Sequence, residues 1–126
     1  MTSPPPHVTP AASVADLAHV LTRCEASTRS ETREALFRGL RLDLTRVRTT
    51  ARTEFDTVAE VPEVHEPYHD LDAGLVALCS ALERSLDAHR RARMLATDTR
   101  TQLLLDAQLE RLRAMLRQVE RHVAPN

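Results

Sequence analysis

Between residues 102 and 123 the apolar side chains Leu105, Leu109, Leu112, Leu116, Val119 and Val123 recur at spacings of 4, 3, 4, 3 and 4. A strand turns alternate residues to one face. Only a helix brings positions three and four apart onto one side. Held over a whole segment, this spacing is the seam of one helix packed on another. Leu104 and Met115 flank the row. The face is therefore wider than a two-stranded seam uses, which predicts contact with more than one helix.

The pattern recurs upstream. Val14, Leu17, Leu21 and Cys24 form a stripe within residues 11–26. The polar run STRSETRE at 27–34 interrupts it. Phe37, Leu40, Leu44, Val47, Ala51 and Val58 resume it over 35–58, with Phe55 near the skipped position. Leu71, Leu75, Leu78, Leu82 and Leu86 carry it through 69–95.

Proline marks the gaps, because it lacks an N–H and crowds the preceding helical turn. All seven prolines lie outside the stripes, with Pro62 and Pro67 inside AEVPEVHEPY at 59–68. Two glycines, two Phe, one Tyr and no Trp leave little for hairpin turns or a β-sandwich core. The expectation is an all-α fold: an antiparallel bundle of about four helices, connected up and down. The alternative is a long two-helix coiled-coil hairpin. Residues 1–10 read as a disordered Pro-rich tail. Residues 11–123 read as one helical domain, with blocks 11–58 and 69–123 around a turn at 59–68. Ser13 with Asp16, Thr28 with Glu31 and Thr99 with Gln102 are the expected N-terminal cap pairs. Pro67 suits a first helical turn. Gly39 would allow a close helix crossing.

Charge is nearly balanced, with a net charge of −1. It is unevenly spread. Residues 60–89 carry seven acids against Arg84, and residues 90–126 carry eight Arg against four acids. Such runs mostly mark solvated or internally matched faces. Nucleic-acid binding would rest on Arg90, Arg91, Arg93, Arg100, Arg111, Arg113, Arg117 and Arg121. The near absence of aromatics for base stacking argues against it. Cys24 and Cys79 fall on apolar stripes with no metal spacing, as free thiols of a cytoplasmic, reducing compartment. No secretory signal and no apolar run long enough for a membrane helix is visible.

His65-Glu66-Pro67-Tyr68-His69 spells HExxH. In zinc hydrolases that spacing sets two His on one helical face with the Glu between them. Pro67 in mid-motif opposes that helix. Glu66 and His69 also give the Glu-x-x-His spacing of di-iron bundles, but once, where two are needed. His65, Glu66 and His69 are thus the metal candidates, with Glu63, Asp70 and Asp72 in a looser set, and they read better as residues of a solvated acidic turn. No nucleophile elbow or phosphate loop is present. No catalytic residue, cofactor or metal is expected. The sequence points to a non-enzymatic protein-interaction or scaffold module, associating with a protein partner or with itself through helix faces. Leu105, Leu109, Leu112, Leu116 and Val119 are its candidate seam.

Overall fold

A computed structural model describes residues 9–27, 31–55 and 66–123. Four helices form it: α1 (Pro10–Ser27), α2 (Glu31–Glu54), α3 (Leu71–Leu95) and α4 (Thr99–Glu120). The all-α bundle is therefore the fold. The polar run at 27–34 and ATDTRT at 96–101 hold breaks between helices, so the two-long-helix alternative does not describe the chain.

Each start has a local cause. Pro10 opens α1, where its missing N–H costs nothing. Thr9 Oγ1 accepts from the Ala12 N–H at 3.1 Å and caps the turn. The expected Ser13–Asp16 cap is thus replaced by Thr9. Ser13 sits one turn inside and points into the core. Asp70 caps α3 through the Ala73 N–H at 2.7 Å, and Asp98 caps α4 through the Thr101 N–H at 2.9 Å. Thr99 is therefore the first helical residue rather than the cap. Gln102 instead donates to the Ala96 carbonyl at 2.9 Å. Pro67 lies ahead of α3, not in its first turn. Thr28 lies outside the described residues, as do residues 1–8 and most of the predicted turn (59–65).

The helices pack in a square. α1 touches α2 and α3, and α4 touches the same two. Side-chain pairs give the directions. Cys24 meets Gly74 while Ser13 meets Ser85, so α1 and α3 are antiparallel. Glu54 meets Arg100 while Val47 meets Gln108, so α2 and α4 are antiparallel. Arg93 meets Asp106 across the short α3–α4 turn. It follows that α2 and α3, on a diagonal, run the same way. Glu54 sits at the α4 start and Glu66 beside the α1 end, at opposite ends of the bundle. An up-and-down connection is thereby corrected. Two helical hairpins are joined by a crossover, because the leucine stripes of α2 and α3 each face neighbours other than one another.

The core is aliphatic, with Leu17, Leu21, Leu40, Leu75, Leu82 and Leu112 each at 0% exposure. Phe37 is the one fully buried aromatic among the described residues. Gly39 does not serve a crossing: a Cβ there would meet nothing within 4 Å. The close approach is at Gly74, where a Cβ would stand 3.3 Å from both Cys24 Sγ and Tyr68 Cδ2.

Candidate interaction surface

Leu105, Leu109, Leu112 and Val119 are buried at 5% exposure or less, and Leu116 packs half-buried against the same core. In the single chain this stripe faces α2 and α3. Its breadth, read from Leu104 and Met115, matches a helix with two neighbours.

The HExxH letters fall just ahead of α3. His65 lies outside the described residues. The Glu66 carbonyl accepts from Arg23 Nε at 2.7 Å, and the Arg23 guanidinium lies 3.9 Å above the Tyr68 ring. The Tyr68 N–H donates to Ser27 Oγ at 2.7 Å. Residues 66–68 are thus non-helical and clamped onto the end of α1, while His69 is exposed. Among the described residues no three His, Cys, Asp or Glu side chains converge as metal ligands would.

A buried polar chain joins α1 to α3. Ser13 Oγ donates to the Pro10 carbonyl at 2.7 Å and lies 2.9 Å from Ser85 Oγ. Its single proton being used, Ser13 accepts from Ser85. His89 Nδ1 lies 2.6 Å from the Ser85 carbonyl, an acceptor, so the proton sits on Nδ1. His89 Nε2 then has a lone pair and no partner among the described residues. Burial pushes the His89 pKa down, against the opposing hydrogen bond to Ser85. Gln108 is similar. Its Nε2 donates to the Val47 carbonyl at 2.9 Å and its Oε1 is unpartnered. Ser85, His89 and Gln108 are each at 0% exposure. Cys24 is equally sealed, and burial raises its thiol to about 12. Such a thiol is a poor nucleophile at neutral pH.

The surface differs at one corner. Among the described residues five large apolar side chains are exposed; Met94 (84%) and Leu95 (79%) end α3, and Leu103 (64%) lies one turn into α4. Beside them a groove of ≈ 380 Å³ runs between the α1 start and the α3 end. Pro10, Ala88, Ala92, Met94 and Leu95 make it apolar, and Arg91 lines it. The arginines around Arg91 are neutralised: Arg84 by Asp16, Arg90 by Asp87 and Arg93 by Asp106. Arg91 is exposed and has no ion pair among the described residues. Asp98 closes the corner. Hydrogen bonds from Thr101, its backbone N–H first, hold this exposed carboxyl below its ordinary pKa.

The corner leaves only a partial trace in the sequence. Met94 and Leu95 lie beyond the last stripe position, Leu86, and directly before the polar ATDTRT. Two large apolar residues off the stripe and beside a helix end are the available signal.

No described helix is long and apolar enough to cross a membrane. Comparison with family models, with curated proteins and with solved structures finds no match to this chain.

Proposed function

We propose that the bundle is a non-enzymatic interaction module, a subunit of a protein assembly, presenting its α3–α4 corner to another chain. The carrying observation is the pair of exposed side chains Met94 and Leu95 lining an apolar groove. Burying such side chains is the main favourable term in association. An exposed cluster beside a groove marks a contact surface in a way that scattered single residues do not. The charged flanks, Arg91 and Asp98, supply register and partner choice. The two free thiols suit a reducing compartment.

Photo-cross-linking in the native cell tests the reading. A photoreactive residue at Met94 is compared with one at Thr49, exposed on α2. Protein adducts at position 94 and few at 49 are expected. Absence of adducts at 94, or equal yields at both positions, contradicts it.

A further inference from the structure

From Arg38 to Arg52, α2 carries five Arg against one acid, Asp43. At 3.6 residues per turn Arg41, Arg48 and Arg52 fall within an arc of about 40°. That arc is the flank turned to α1, since Arg41 donates there to Thr22 at 2.9 Å and to Glu25. Asp43 and Glu54 share the opposite flank, where Glu54 meets Arg100 of α4. The acids within reach of the arginine stripe are already engaged. α1 carries two, Asp16 and Glu25, and they pair with Arg84 and Arg41. Arg38, Arg46, Arg48 and Arg52 have no hydrogen bond or ion pair among the described residues. Arg48 is half-buried, and its pKa is lowered by burial first and then by the charges of Arg52 and Arg41. A half-buried guanidinium beside two like charges is unfavourable until an anion joins it.

We infer that the arginine-rich face of α2, from Arg38 to Arg52, binds the phosphate backbone of duplex nucleic acid. None of its residues lines the groove at the α3–α4 corner, so it is a second surface. The make-up of the face selects the partner. An acidic helix would need an apolar seat beside the charges. Here Thr45 and Thr49 separate the arginines, exposed and with their hydroxyls donating to their own helix carbonyls at 2.8 Å. Leu42 is the one large apolar side chain exposed on α2 among the described residues. A membrane surface would equally require apolar insertion. The contact must therefore be made by charge and guanidinium forks. Phosphodiesters suit it, because arginine holds phosphate oxygens bidentately. The face has no aromatic residue on which a base could stack, which favours a duplex over a single strand. Arg41 to Arg52 covers about 16 Å along the helix axis. That reaches phosphates on both sides of a major groove about 12 Å wide. Such contacts hold the backbone and read no sequence.

Fluorescence anisotropy of a short labelled DNA duplex, titrated with the full chain, tests this, with circular dichroism confirming helicity of each variant. Wild type should bind with Kd on the order of 10 μM at about 50 mM salt. The logarithm of the binding constant should fall by about 3–4 per tenfold rise in salt, as four neutralised phosphates require. Arg48→Gln combined with Arg52→Gln should weaken binding by about tenfold or more and lower that slope by about 2. Arg46→Gln combined with Arg52→Gln, both exposed, repeats the test without touching half-buried Arg48, and should lower the slope equally. Arg113→Gln combined with Arg117→Gln is the same charge change on α4, and should shift Kd by less than about twofold. No binding at about 100 μM protein in the same salt overturns the assignment. So does an equal loss from the α2 and α4 variants, which would trace binding to overall charge. So does poly-glutamate bound more tightly than the duplex, which would give the face to an acidic protein.

Discussion

The thiol of Cys24 donates to the Gly74 carbonyl oxygen at 3.2 Å across the α1–α3 crossing. This contact exists because Gly74 has no Cβ, and it sets how closely the two hairpins dock. A side chain at 74 would press on Cys24 Sγ and Tyr68 together.

The two glycines should therefore respond oppositely to alanine. Gly39→Ala adds a methyl group in open space within a helix, and should stabilise by about 0.5–1 kcal/mol. Gly74→Ala gains the same helix preference but crowds a packed crossing. It should come out net destabilising, by about 1 kcal/mol. Thermal melts of the two variants against wild type give both signs.

His89 predicts an acid weakness. Its folded pKa is lowered by burial, whereas the unfolded chain titrates near 6.5. Above that value both states are neutral and His89 adds no pH dependence. As pH falls below it, the unfolded chain takes up a proton that the folded chain refuses, so stability drops, by at most about 1.4 kcal/mol per pH unit. Urea midpoints for wild type and His89→Gln between pH 7.5 and pH 5 should diverge, with the wild type losing more. Parallel curves would show that His89 does not titrate in this way.

Gln108 and Leu112 are both fully buried on α4. Leu112→Ala opens a cavity and should cost about 2–5 kcal/mol. Gln108→Leu removes an amide whose Oε1 is unpartnered, and should be neutral or stabilising despite losing the Val47 contact. Chemical denaturation of both variants checks the contrast.

Thiol labelling should separate the cysteines. Cys24 is buried and raised to about 12, whereas Cys79 is half-buried. In the folded chain iodoacetamide should modify Cys79 first and reach Cys24 at the rate of unfolding. Equal rates in the native state would contradict the packing of Cys24 beneath Gly74.

The helices were legible because leucine spacing reports periodicity directly. The stripes Val14 to Cys24, Phe37 to Ala51, Leu75 to Leu86 and Leu105 to Val119 are buried, with Leu71 and Leu116 half-buried against the core. The connection was not legible. A stripe says that a face is buried but not against which helix, so nothing in Leu40 or Leu78 distinguishes a neighbour from a diagonal. Caps slipped by one residue at Asp98, where Asp and Thr are adjacent and both can cap. The close approach falls at Gly74 and not at Gly39, because it depends on the partner helix. The corner has the same cause: only the packed bundle shows that Leu105 is hidden and Leu95 is not.

Hydroxyl-radical footprinting of the full chain, dilute and then associated, tests the central claim: the leucine seam is spent inside the single chain and the corner is kept for partners. In the dilute chain Met94 and Leu95 should oxidise readily while Leu105, Leu109, Leu112 and Val119 are protected. On association Met94 and Leu95 become protected. If Leu109 and Leu112 oxidise in the dilute chain and gain protection on association, the seam is the interface and the account is contradicted.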